Sequence, residues 1–380
     1  MLLLIYAWLM SILWVGMSIY LVINTRRISY LRTVAPRTGV HFPAVAIVVA
    51  IKDEEAEVEQ ALRSICNLQY PVYRIIVIND RSTDTTPEIL QKMAQKDPRI
   101  TVITVEELPG GWLGKNHALY KGYQACSEEW LLFADADVLF ARDALRKAMQ
   151  FVHLHKLDHL TALPEITSRS WLFKAVMNTF ALMLNIKLRP WAASNPVSKA
   201  SVGVGAFNLV KRTAYEGAGT HKVISLRPDD DLKLGERIKA AGYRQNVVYG
   251  DGEISLQWYT SLGEFVRGLM KNTFSVANYN LLLALGMAVS TLVLIVLPLP
   301  VLLLAGSSYS LFALVILLAQ LSIMLLAKGI KGQWWHALLI PFAALVMVFI
   351  IVVSAFRTLR QGGIYWRNSF YPLEELKKQV

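Results

Sequence analysis

The chain has 380 residues, is 54% hydrophobic and carries a formal net charge of +11. That much apolar residue excludes an ordinary soluble protein, and the charged stretches exclude a bare bundle of membrane helices. The basic residues are scattered, with no Lys/Arg stripe interleaved with stacking aromatics, which excludes nucleic acid as a partner and favours anionic lipid headgroups and phosphorylated substrates.

Leu2 to Ile23 is uncharged and long enough to cross a hydrocarbon core, and Arg26, Arg27, Arg32 and Arg37 follow it. The positive-inside rule places the next domain in the cytoplasm. With neither a basic start nor a small-residue cleavage site, residues 1–24 read as an uncleaved anchor with its N-terminus outside. From about residue 40 the pattern alternates: strand Val45 to Ala50, helix Glu54 to Cys66, strand Ile75 to Ile78, helix Pro87 to Gln95, strand Ile100 to Val105, helix Lys115 to Ala125, strand Leu131 to Phe133. Alternation of this kind predicts an α/β domain over residues 25–276, built on a mostly parallel sheet covered on both faces.

Ligands of such sheets bind beyond the carboxyl ends of the strands. Acidic residues follow three of them: Lys52-Asp53-Glu54-Glu55 after the first, Asn79-Asp80-Arg81-Ser82-Thr83-Asp84 after the second, and Asp135-Ala136-Asp137 after WLLFA. Alternation along a strand end points Asp135 and Asp137 to one side, and two anions that close require a cation. Thr83 or Asp84 also suits the cap of the helix near Pro87, while Asp80 is left for a ligand. A fourth cluster, Asp229-Asp230-Asp231, precedes LKLGERIKAAGYR. Capping needs only one of its three carboxylates, so another is available as a general base.

Trp171 to Leu188 is apolar around most of a helix, with Lys174, Asn178 and Asn185 as a narrow polar stripe. Either a buried core helix or, over 171–191, a helix lying at the membrane interface fits it. His153, His155 and His159 match no zinc spacing and read as a solvated helix face; His221 reads as a surface-loop histidine, with the acceptor pocket as the alternative. Cys66 and Cys126 read as reduced core thiols. Three further apolar segments, about 281–304, 309–327 and 335–356, predict C-terminal membrane helices within 277–356, followed by a basic tail, 357–380. Four full spans would leave Arg357, Arg360, Arg367, Lys377 and Lys378 outside, against the charge rule, so one segment is expected to be re-entrant or interfacial.

The ordered set AIKDEE, VINDRSTDTT, GWLGKNHAL, FADADVLF, GVGAFNLVKRTAYE and DDDLKLGERIKAAGYR resembles a membrane-attached family 2 glycosyltransferase of the GT-A fold, similar in layout to the hopanoid- and carotenoid-associated enzymes and to ceramide glucosyltransferase. The resemblance implies an integral membrane enzyme with a cytoplasmic catalytic domain, one N-terminal and about three C-terminal transmembrane helices, a nucleotide-sugar donor, usually UDP-linked, and a membrane-lipid acceptor. It implies that Asp80 contacts the base, that Asp135 holds the ribose or metal side, and that Asp137 binds Mg²⁺ or Mn²⁺ bridging the diphosphate. Asp231 becomes the general base, with Asp230 beside it, for a single displacement with inversion. Lys52, Asp53 and Glu54 fall in the nucleotide-sugar pocket. Lys115 offers a cation near the phosphates, unless GWLG is only a turn before a helix. Gly203, Gly205, Ala206 and Phe207 fall beneath sugar and acceptor, or form a simple turn. The Gln-x-x-Arg-Trp motif of many relatives, the processive synthases above all, is missing from QWYTSLGEFVRGLMKNTF. Arg267 and Lys271, four apart, supply the missing charge or contact lipid.

Overall fold

The computed structural model describes residues 1–35, 42–271, 273–366 and 369–378; Arg37 and Arg367 of the basic flanks lie outside the described residues. After α1 (Leu2–Thr25) and a short β1 (Ser29–Tyr30) come β2 (Val45–Ile51), α2 (Val58–Cys66), β3 (Tyr73–Asp80), α3 (Thr86–Lys96), β4 (Ile100–Val105), α4 (Gly114–Gln124) and β5 (Trp130–Ala134). Then follow β6 (Val138–Phe140), α5 (Ala144–His155), β7 (His159–Leu163), β8 (Glu165–Ile166), α6 (Trp171–Leu188), β9 (Asn208–Lys211), α7 (Arg212–Gly217), α8 (Asp230–Ala240), β10 (Gln245–Tyr249), β11 (Ile254–Leu256) and α9 (Leu262–Leu269).

The run VAIVVAI makes β2 a central strand, because β-branched side chains fit a pleated surface that is buried on both faces. It pairs in parallel with β3 and with β5, Val45 standing opposite both Tyr73 and Trp130. The full sheet has eight strands in the order β1-β10-β7-β9-β5-β2-β3-β4. Only β9 runs antiparallel to its neighbours. Alternate residues of β2 and β3 enter opposite layers: Ile47, Val49, Ile75 and Val77 pack with α2, whereas Ala46, Val48, Ile76 and Ile78 pack with α4 and α8. Each fully buried aliphatic chain contributes about 1.5–3 kcal/mol relative to exposure. The shared register brings the residues after β2, β3 and β5 to one edge.

Beyond the sheet lie α10 (Thr273–Val276), α11 (Leu281–Thr291), α12 (Pro298–Leu304), α13 (Ser310–Leu326) and α14 (His336–Gln361), then a hairpin of β12 (Gly363–Trp366) and β13 (Ser369–Pro372) and a final α15 (Leu373–Lys377). Among the described residues three helices are long and apolar enough to cross a membrane, or four if the bent pair Leu281–Val296 and Pro298–Leu304 is one span. That pair is bent by 47°, so the 281–304 segment is the one that departs from a straight span. The bend has an identifiable cause. Pro298 has no N–H to give to Leu294, and Leu297 N–H reaches back to Leu292 O at 2.9 Å, which leaves the Val293 and Leu294 carbonyls without helix donors. The α1 side chains serve them: Tyr6 OH donates to Val293 O at 2.8 Å and Trp14 Nε1–H to Leu294 O at 3.1 Å.

His159 is not on a helix face but fully buried on β7, joining three strands: its ring meets Asn208 of β9 through Nε2 and Gln245 of β10 through Nδ1. Burial, against the Asn208 hydrogen bond, pushes its pKa down to about 4. The unfolded chain, with a histidine near 6.5, then takes up the proton first as pH falls, so this residue's contribution to stability is present above that value and lost between about 6.5 and about 4. His159→Gln does not titrate. Its melting temperature in detergent, measured against wild type across that window, is expected to rise relative to wild type as the pH falls; a pH-independent difference would contradict the buried neutral histidine.

Candidate active site

The loops after β2 and β3 are laced together by side chains. Asp53, in a left-handed conformation with φ 51°, accepts from Thr83 N–H at 2.7 Å and gives its own N–H to Ser82 Oγ at 3.0 Å. Glu54 N–H donates to Thr86 Oγ1, and Asp84 accepts from the Thr86 and Glu55 amides, so Asp84 does serve the start of α3. Lys52 Nζ reaches the Asp80 and Arg81 carbonyls. The buried Asp80 carboxylate takes a two-pronged pair from Arg81, Nε–Oδ1 2.8 Å and Nη2–Oδ2 3.1 Å. Gly114 opens α4 directly against that pair, where any Cβ would collide with Asp80 Oδ2, so only glycine lets this helix end approach.

Lys115, one residue on, extends into the carboxylates. Its Nζ lies 2.8 Å from Asp135 Oδ1 and 3.6 Å from Asp230 Oδ1. Burial lowers its pKa, but Asp135, Asp230 and Asp231 outweigh burial and hold the ammonium above its ordinary value. The three adjacent aspartates at the start of α8 have separate partners, which relieves their repulsion. Asp229 pairs with the fully buried Arg227 at 2.8 Å, Asp230 faces Lys115, and Asp231 accepts the amides of Gly205 and Leu232, each at 2.8 Å. Burial and the neighbouring carboxylates raise Asp230 to about 7, although Lys115 opposes them. Asp231 is raised for the same reason.

One residue, Gly205, joins this cluster to the Asp135 side through both of its backbone polar groups. Gly205 N–H goes to Asp231 Oδ2 at 2.8 Å, while Gly205 O accepts Asp135 N–H at 3.0 Å. A Cβ on Gly205 would sit 2.5 Å from Asp135 Oδ2. A Cβ at Gly203 would meet the Asp231 backbone and one at Gly205 would meet Asp135, while both glycines line the main cavity. Ala206 lines the main cavity, but Phe207 is fully buried against Phe140 in the core and does not.

Asp137 is the odd member. Its neighbours are carboxylates, and burial together with Asp135, Glu54 and Glu57 pushes it up to about 7; its own backbone amide is the one donor that opposes this. A half-buried anion facing anions fits a hard divalent cation, and Mg²⁺-type sites are commonly held by one or two carboxylates with substrate phosphates as further ligands. Among the described residues no three His, Cys, Asp or Glu side chains converge as a ready-made metal cage. Asp135 and Asp137 thus fit a metal shared with a phosphorylated ligand, not a cage made by the protein alone.

These groups open into a cavity of about 1850 Å³. Lys52, Asp53, Glu54, Asp80, Arg81, Lys115, Asp135, Asp137, Asp230 and Asp231 line it, together with the apolar Trp14, Leu184, Leu294, Met347 and Ile351. The polar stripe of α6 faces the same space through Lys174, Asn178 and Asn185, while Phe173 and Met177 pack with Phe265 of α9 and Met347 of α14. Arg267 and Lys271 are exposed and do not line the cavity. His153 and His155 are exposed, but His221 is buried beside Asp230 and is not a surface-loop residue. Sequence reasoning passed over Arg81 and Arg227; the available signal was a basic residue one or two positions from an acidic one it pairs with. Cys66 and Cys126 are free and half-buried, and burial pushes the Cys66 thiol up to about 12.

Residues 46–216 match the family model described as Glycosyl transferase family 2, so the chain carries a family 2 glycosyltransferase domain. Among its relatives, the poly-beta-1,6-N-acetyl-D-glucosamine synthase of Staphylococcus aureus is 28% identical over 245 residues, which are 64% of this chain and 57% of the relative. The 4,4'-diaponeurosporenoate glycosyltransferase of the same organism is 25% identical over 217 residues, 57% of this chain and 56% of the relative. The chain thus spans just over half the length of these curated relatives. Among solved structures, mannosyltransferase PcManGT from Pyrobaculum calidifontis, in complex with GDP-Man and Mn²⁺, aligns with a TM-score of 0.56 over 94% of this chain and 98% of its own, at 18% identity. The shared architecture is the GT-A fold, an α/β domain on a mostly parallel sheet.

The Gly205 peptide gives a direct test. Gly205→Ala forces the added methyl against Asp135, and overpacking of this kind costs about 1–3 kcal/mol. A lowered melting temperature is expected by differential scanning fluorimetry. Gly110→Ala, whose Cβ would meet nothing within 4 Å, serves as the control and should melt with wild type. Equal melting of both variants would contradict the close approach.

Proposed function

We propose that the protein transfers a sugar from a UDP-linked donor to a hydroxyl of a membrane lipid at the cytoplasmic face, with inversion and with a divalent metal. The observation that carries this reading is the continuity of the cavity, from the acidic sheet edge to the apolar side chains of α1, α11 and α14. A lipid head could reach the carboxylates there while its chain stays among apolar residues. The arginines Arg26, Arg27 and Arg32 after α1 support a cytoplasmic location for the catalytic domain.

In this reading Asp80, held by Arg81, accepts from the base, and Lys115 and the Asp135–Asp137 pair receive the diphosphate. Mg²⁺ or Mn²⁺, when bound by Asp137 and Asp135, would neutralise the diphosphate as it leaves. Asp231 accepts the proton of the acceptor hydroxyl as its oxygen bonds to the anomeric carbon; the carbon–oxygen bond to the diphosphate breaks, and UDP departs. The raised Asp231 and Asp230 suit that step, because a base nearer neutrality takes a hydroxyl proton more readily than an ordinary aspartate. The amides of Gly205 and Leu232 hold Asp231 in one orientation meanwhile.

A second reading, extension of a polysaccharide, is favoured by the similarity to a poly-N-acetylglucosamine synthase. The missing Arg-Trp motif weighs against it. Purified protein with labelled UDP-sugars, Mn²⁺ and a bacterial lipid extract should yield labelled lipid of one-sugar increment by mass spectrometry. Asp231→Asn should lower transfer by about a hundredfold or more, in the range that general-base loss gives, and Asp137→Ala should lower it strongly by removing a metal ligand. Full activity in both variants would overturn the site assignment, and a ladder of long products would favour the polymer reading.

A further inference from the structure

A second, water-sized cavity of about 10 Å³ lies behind the acidic cluster. Lys115, Asp135, Asp230 and Asp231 face both cavities, whereas His221 and Asn208 line only the small one. His221 is 1% exposed and sits on a rigid frame. Its ring meets Phe133 of β5 edge to face at 5.1 Å, and Thr220, with φ 59°, accepts the Lys222 amide to start the turn that carries it.

The tautomer of this histidine follows from its partners. Tyr215 Oη accepts the His221 backbone N–H at 3.1 Å and lies 2.7 Å from His221 Nδ1. A hydroxyl that accepts from the backbone still has its own proton to give, and Nδ1 is its nearest acceptor. Nδ1 is therefore bare, and the ring proton sits on Nε2. That nitrogen lies 3.9 Å from Asp230 Oδ2, too far for a direct hydrogen bond, with the small cavity beside the gap. Its volume is about that needed for one water with polar partners on both sides. Burial and Lys115 hold the His221 pKa down to about 3, so the ring is a neutral donor at any working pH.

We propose that His221, fixed by Tyr215, is a positioning residue for the transfer step: its Nε2–H, through one water, holds the buried Asp230 carboxylate, which keeps Lys115 bridging to Asp135. The inference rests on the glycosyltransferase reading above and deepens it. It assigns a role to a buried pair outside the groups that touch the substrate. The chain of contacts runs from Tyr215 through His221, Asp230 and Lys115 to Asp135, so the acceptor and donor sides share one support.

The test compares His221→Phe, His221→Gln and Tyr215→Phe with wild type and Asp231→Asn. UDP release from UDP-sugar with Mn²⁺ and a fixed lipid extract gives kcat and KM, and calorimetry gives UDP affinity. Loss of a supporting partner behind a site typically costs about 10–100-fold. His221→Phe is expected to lose that much in kcat and, because Lys115 also receives the diphosphate, to bind UDP more weakly as well. His221→Gln, which restores an N–H near the Nε2 position, should recover most of the rate, and Tyr215→Phe should fall between. Wild-type kcat in His221→Phe, or a His221→Gln as slow as His221→Phe, overturns the proposal; so does a His221→Phe too unstable to assay if Tyr215→Phe keeps the wild-type rate. If Asp231→Asn keeps full activity, the underlying site reading fails; if Asp231→Asn is dead while His221→Phe is normal, only the positioning role falls.

Discussion

The arrangement depends on one electrostatic constraint, the gathering of carboxylates from three chain segments against a single sheet edge. Asp80, Asp135, Asp137, Asp230 and Asp231 all face the same cavity. Buried anions are tolerated only when cations or hydrogen-bond donors compensate them. Arg81 compensates Asp80, Lys115 spans Asp135 and Asp230, and two amides satisfy Asp231. Asp137 has carboxylates for neighbours, and that residual imbalance is what a metal–diphosphate ligand would complete.

The same constraint explains local backbone choices. Glycine stands at 114 and 205 because the aspartate side chains occupy the volume a Cβ would need. The backbone N–H and C=O of Gly205 then link the proposed base and the proposed metal side. Farther out, helix α1 also takes part in the site's surroundings. Tyr6 and Trp14 bind the carbonyls freed at the bend before Pro298, and Trp14 also lines the cavity. The shape of the proposed acceptor route is thereby tied to the packing of the long apolar helices.

Much of this was legible in the sequence, for definable reasons. The run VAIVVAI and its alternation with amphipathic stretches specify β2 and the parallel sheet locally, and strand-end aspartates then fall on one edge by topology. The pairing Asp135–Asp137 and the cluster before α8 were visible for the same reason. What the sequence hides is long-range. Nothing near Gly205 says that Asp135 and Asp231 will occupy its space, and nothing near His159 or His221 marks them as buried, because polar residues that find partners across strands look like loop residues in one dimension. Phe207 was placed by motif beneath sugar and acceptor, yet it is fully buried in the core. Arg267 lies in the last turn of α9 but Lys271 lies beyond its end, and neither lines the cavity.

Calorimetric titration of UDP into the purified protein, with Mn²⁺ and then with EDTA in its place, tests the central charge imbalance most directly. Binding is expected with Mn²⁺, absent or at least about tenfold weaker without it, and lost in Asp137→Asn even when Mn²⁺ is present. UDP binding of equal strength with Mn²⁺ and with EDTA would contradict a carboxylate edge completed by a metal.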